Sequence, residues 1–185
     1  MQNPQQALSY LRDLGAAELA HLNGDLAKHL IGTYERLQRW GNLEVVCLAG
    51  LYHAAYGTDG FAEKLVGLDS RQLIANVIGD EAEALVYIYA ACDRAYFYPQ
   101  LRRDDRAEFK DRFTGRTSYL DAPLMKHFCE LTIANELDVA LPNVEAYLDN
   151  YGRYVLPLFS SDRYQSLLSS NAKLECRQIL FSGTT

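Results

Sequence analysis

Between Gly41 and Gly57 the chain reads Asn-Leu-Glu-Val-Val-Cys-Leu-Ala-Gly-Leu-Tyr-His-Ala-Ala-Tyr, with apolar residues on almost every side of the helix it would form. A helix that is apolar all round has to be enclosed by other elements. Leu43–Tyr56 is therefore expected at the centre of the fold, and the rest of the chain has to surround it.

The flanking punctuation predicts that the surround is helical. Asn3-Pro4 opens a short helix that Gly15 closes. Asp25 can cap a second helix running to Trp40, with Leu26, Leu30, Tyr34 and Leu37 along one stripe. Asp69 or Ser70 starts a short helix ending at Gly79, and Asp80 opens a longer one to Tyr98 that Pro99 terminates. Arg102–Arg116 reads as a polar loop with a helical turn or two, and Asp121-Ala-Pro123 starts a helix reaching about Ala140. Two further helices, about 143–153 and 161–181, complete the chain. No segment shows the period-two alternation of a strand. The expectation is all-α: one domain over residues 1–185, a bundle of about seven to nine helices with no sheet of three or more strands.

A net charge of −6 argues against a nucleic-acid partner, which would need a basic face. The apolar stretches are too short to span a bilayer and the first residues do not read as a signal peptide, so no membrane partner and a cytoplasmic location are expected. Cys47, Cys92, Cys129 and Cys176 stand far apart among apolar neighbours, the pattern of buried thiols rather than of a zinc site with paired ligands.

Of the four histidines, His53 lies in the central helix and His29 in the helix before it. A buried imidazole needs partners for its ring nitrogens. Ala49, Gly50, Ala54 and Ala55 would let a neighbouring helix come close, so an antiparallel pairing would bring the two rings within about 7 Å of each other. Tyr56 at the helix end could offer a phenol to the same pocket. His21, Asp93, Arg94, Asn135 and His127 are candidates to bind a substrate: Arg94 by gripping an anion and Asp93 by orienting a histidine.

Asp25-x3-His29 followed by Val45-Val-Cys-Leu-Ala-Gly-Leu-Tyr-His53 resembles the first half of an HD domain, in which an early histidine is followed by a histidine–aspartate pair. Leu73–Val86 is similar to the stretch after that pair in alarmone hydrolases, and Ala134-Asn-Glu-Leu137 falls where those enzymes carry their last metal aspartate. A closer similarity, across about 15–140, is to an uncharacterised bacterial family of HD-like proteins, through His21-x7-His29-Leu-x-Gly-Thr and Val46-Cys-Leu-Ala-Gly-Leu-Tyr-His53-x2-Tyr56-Gly-Thr58-x2-Phe61. The resemblance implies an HD-like helical bundle with a divalent metal (iron, manganese or zinc) on two histidines and two aspartates, and hydrolysis of phosphate esters. Here Ala54 stands where the paired aspartate would be and Asn135 where the last one would be. A metal would be left with His29 and His53, a poor set for a hard cation.

Two function classes follow. One is an HD-like enzyme, hydrolase-like or lyase-like, in which His29, His53 and Tyr56 carry acid–base chemistry on an anionic or phosphorylated metabolite or a specialised biosynthetic intermediate. The other is a non-catalytic module that binds a ligand or a protein on the same fold. A homodimer is compatible with either.

Overall fold

The computed structural model of the chain describes residues 4–21, 24–103 and 106–181, the side chains of 20, 21 and 24 excepted. The chain divides into two compact units, Met1–Cys92 and Asp93–Thr185. Both are built mainly from helices. Among the described residues the strands form two-stranded sheets, and no helix is long and apolar enough to cross a membrane.

In the first unit, α1 (Pro4–Asp13) is followed by a minimal strand pair, β1 (Ala20–His21) with β2 (Gly24–Asp25), and then by α2 (Leu26–Arg39) and α3 (Glu44–Tyr52). A 3-10 turn (Leu68–Ser70), α4 (Arg71–Ile78) and α5 (Asp80–Ala91) complete it. The Asp25 carboxylate accepts from the Lys28 amide at 2.8 Å, the N-cap expected of it. Every residue of α3 from Val46 to Tyr52 is buried, and α1, α2, α4 and α5 all pack on it. The Tyr52 hydroxyl ties α1 to this helix by donating to the Ala7 carbonyl at 2.7 Å.

Past Tyr52 the backbone tightens. Ala55 N bonds Tyr52 O at 2.8 Å and Gly57 N bonds Ala54 O at 3.0 Å. Gly57 then takes φ +72°, and a Cβ there would meet the carbonyls of Ala62, Phe61 and Glu63 at 3.1–3.3 Å. The loop after it folds back across the helix end, with Leu65 N and Val66 N both bonded to Ala55 O at 3.0 Å.

The second unit contains α6 (Arg94–Leu101), a hairpin of β3 (Glu108–Lys110) and β4 (Thr117–Tyr119), α7 (Ala122–Ala140), α8 (Val144–Phe159), α9 (Asp162–Ser166) and α10 (Ser170–Leu180). The 19-residue α7 is its core helix, against which α8 and α10 pack.

Several sequence expectations are corrected here. The helix from Asp80 breaks at Cys92–Asp93, because the Asp93 carboxylate accepts from Tyr96 N at 3.1 Å and starts a new helix. Pro99 lies inside that helix instead of ending a longer one, and Pro157 lies inside α8, which runs on to Phe159. In each case the lost amide bond and ring clash are confined to one turn near the helix end. The 102–116 segment holds a strand, paired Glu108 to Tyr119, Phe109 to Ser118 and Lys110 to Thr117. Its turn is closed by Asp111, whose carboxylate accepts from Phe113 N at 2.8 Å and Thr114 N at 3.0 Å. The expected last helix starts at its Ser161 cap but is split, α9 ending at Ser166 and a new cap at Ser169 starting α10. Ten α-helices result among the described residues, above the expected number.

Candidate functional site

His29 sits on the buried face of α2, and His53 is the first residue past the end of α3. The α2–α3 pairing brings their rings edge to face, with centroids 5.0 Å apart and planes 84° to one another. The two Nε2 atoms lie 3.2 Å apart. His53 is held on two more sides: its Nδ1 lies 2.7 Å from the Gly50 carbonyl oxygen, and the Tyr89 ring of α5 stands edge-on at 5.5 Å. Both histidines are almost fully buried, 5% and 2% exposed, so the contact between their nitrogens is screened little by water. On the same turn of α2 the Thr33 hydroxyl donates back to the His29 carbonyl at 3.0 Å.

Two ring nitrogens at this separation can share a proton, and they could also be neighbouring ligands of one ion at about 2.0–2.1 Å each. Among the described residues the donor set does not supply the metal centre that the resemblance implies. Ala54 has no donor atom, and among the described residues no group of three or more histidine, cysteine, aspartate or glutamate side chains is placed to hold a metal ion. Two neutral imidazoles without a carboxylate do not make a site for a hard divalent ion.

Tyr56 belongs to a different cluster of the same unit. Its hydroxyl donates to Glu83 Oε1 at 2.9 Å, and the same carboxylate takes a two-pronged bond from Arg71, Nε to Oε1 at 2.7 Å and Nη2 to Oε2 at 2.8 Å. The Arg71 guanidinium also lies over the Tyr87 ring, 3.9 Å from its centroid. Burial, and then the bond to Glu83, push the Tyr56 phenol well above its ordinary pKa. It is held protonated, as a donor.

Of the remaining candidates, all but His21 lie in the second unit. Asp93 caps α6 and pairs with Lys110 at 2.9 Å, which holds its carboxyl below the usual carboxylate range. Arg94 faces the Glu136 carboxylate at 3.6 Å. Asn135 donates its amide to the same Glu136 at 3.1 Å, and the Tyr147 hydroxyl donates to it at 2.6 Å. Asp93 and Arg94 thus serve a helix cap and an ion pair, and Asn135 a buried carboxylate network. His127 stands half-buried on α7. His21 falls on β1, and its side chain lies outside the described residues.

Among the described residues four buried charged groups escape a reading of the sequence. Glu83, Glu130 and Glu136 look like ordinary helix acids until their partners are seen, Ser169 in the case of Glu130. Arg36 is 2% exposed on α2, seven residues after His29 and so on the same face two turns along. Its one sequence signal is its place beside the apolar stripe of Leu30, Tyr34 and Leu37.

No curated protein matches the chain. Residues 10–94 match a family described as a domain of unknown function (DUF6817), a stretch that covers most of the first unit, contains both histidines, and ends two residues beyond Cys92.

Proposed function

We propose that the chain is an HD-like small-molecule enzyme that has given up metal chemistry, with His29 and His53 acting together as acid and base on an anionic or phosphorylated metabolite. The observation that carries this reading is the 3.2 Å approach of two buried imidazole nitrogens. Imidazole is the side chain whose ordinary pKa lies nearest neutrality, and a linked pair can take up and release a proton at pH 7 without an ion. The partner is a small molecule; an acidic chain with a net charge of −6 is a poor fit to a nucleic acid.

A second reading is a non-catalytic binding module, open to a ligand, a protein or a second copy of the chain. It is favoured by the engagement of candidate polar groups within each unit: Tyr56 and Arg71 are engaged by Glu83 in the first, and Asn135 and Arg94 by Glu136 in the second.

The test is a panel of nucleotides, sugar phosphates and acyl phosphates, incubated with and without manganese. On the enzymatic reading one class is turned over without added metal, and His29→Gln or His53→Gln lowers the rate by about 10²–10⁴-fold. Turnover indifferent to both substitutions, or dependent on manganese, removes it. Binding of a panel member without turnover selects the second reading.

A further inference from the structure

We infer that the two imidazoles are not interchangeable: the main-chain carbonyl of Gly50 is a positioning group that fixes His53 as the Nδ1–H tautomer, so that His29 donates and His53 accepts along their Nε2···Nε2 link.

A carbonyl oxygen can only accept a hydrogen bond. With Gly50 O at 2.7 Å, the proton of that contact must lie on His53 Nδ1. A neutral imidazole carries one N–H, which leaves Nε2 of His53 with its lone pair bare. The nitrogen facing it, His29 Nε2 at 3.2 Å, must then supply the proton between them. The opposite ordering would set a bare Nδ1 lone pair against the carbonyl lone pairs at 2.7 Å.

The fold explains why this carbonyl takes the ring. The last carbonyls of a helix lack intrahelical partners, and beyond Tyr52 the chain tightens into bonds between residues three apart. His53 is the C-cap, with φ −58° and ψ −23°, and from there its ring closes on the carbonyl three residues back. Gly50 has no side chain to obstruct that closure.

This ordering rests on the acid–base reading and deepens it: His29 is the member that gives the shared proton and His53 Nε2 the member that takes it.

The experiment is ring-nitrogen NMR on the full-length protein labelled with ¹⁵N-histidine, at about pH 8 where ordinary imidazoles are neutral. The expected spectrum has a protonated Nδ1 and a bare Nε2 on His53, a protonated Nε2 on His29, and a nitrogen–nitrogen coupling across the link. A protonated Nε2 on His53 overturns the proposal. So do bare Nε2 atoms on both rings, the pattern of an ion between them. In His29→Gln the amide still offers an N–H, and the His53 tautomer is expected to be unchanged. A switch of His53 to the Nε2–H form in that variant would show that His29 sets the tautomer and Gly50 does not. The spectrum of the unsubstituted protein decides by itself, even where the variant fails to fold. Turnover indifferent to both histidines would sink the enzymatic reading and leave this tautomer standing, whereas the reversed tautomer with turnover intact sinks this inference alone.

Discussion

At Glu83 one carboxylate serves a phenol and a guanidinium, and both it and the phenol are buried. Removing it leaves the Tyr56 hydroxyl and the Arg71 fork without their acceptor. Glu83→Ala should cost about 2–4 kcal/mol in denaturant unfolding, and Tyr56→Phe, which removes one bond to a charged acceptor, about 1.5–3. If Tyr56→Phe costs more than Glu83→Ala, the carboxylate is not the centre of the cluster. The thiols give a second prediction at this scale. Cys47, Cys92, Cys129 and Cys176 are all buried. Burial pushes the Cys47 thiol up to about 12, with the Glu44 carboxylate adding to the effect, and burial does the same at Cys176. A folded-state pKa above the unfolded value means that the folded state binds more protons. That contribution is complete below the ordinary thiol pKa and is lost as pH rises from there towards 12. Stability should therefore fall in alkali, and the slope of unfolding free energy against pH above about 9 should flatten in Cys47→Ala. A slope unchanged by that substitution would show that other groups control the alkaline loss. The pairing of His29 with His53 is legible in the sequence because one lies on the apolar face of α2 and the other at the end of the apolar α3, with a short connection between the two helices. Glu83 is not, because Asp80, Glu81 and Glu83 look alike as acids in the first turn of a helix, and only tertiary packing selects the third for burial.

Among the elements, the end of α3 is the least forgiving. At Gly57 an alanine would meet a left-handed backbone and three carbonyls within 3.1–3.3 Å, so Gly57→Ala should lower stability by at least about 1–2 kcal/mol. The start of α6 depends instead on Asp93, and Asp93→Ala should cost about 1 kcal/mol through the lost cap. The Lys110 pair depresses the Asp93 carboxyl, so its contribution is present at neutral pH and lost as pH falls through the carboxylate range, a loss that disappears from the acid limb of the stability curve in the variant. Asp93 also shows where the sequence stops being legible. Asp25 and Asp121 precede apolar runs and declare themselves as caps, whereas Asp93 lies inside one. The residues around it suit a continuous helix, and its capping bond competes with that propensity only in the folded chain. The β3–β4 hairpin is hidden for a similar reason: Phe109 is the one buried residue of its six paired positions, too little for an alternating pattern.

Across the whole molecule, the family match and the compact units fall on nearly the same boundary, residue 94 against Cys92. A fragment of residues 1–94 should therefore be helical by circular dichroism and melt cooperatively; a fragment without a melting transition would show that the first unit cannot stand by itself. The connection inside that unit has a kinetic consequence. Only residues 40–43 join α2 to α3, and 24 positions separate the two histidines. Contacts this local close early and quickly, because little loop entropy opposes them. The helical hairpin should therefore show high φ-values in refolding. A nascent chain that has exposed α2 and α3 already has what the imidazole pair needs, before the helix carrying Tyr89 has been synthesised.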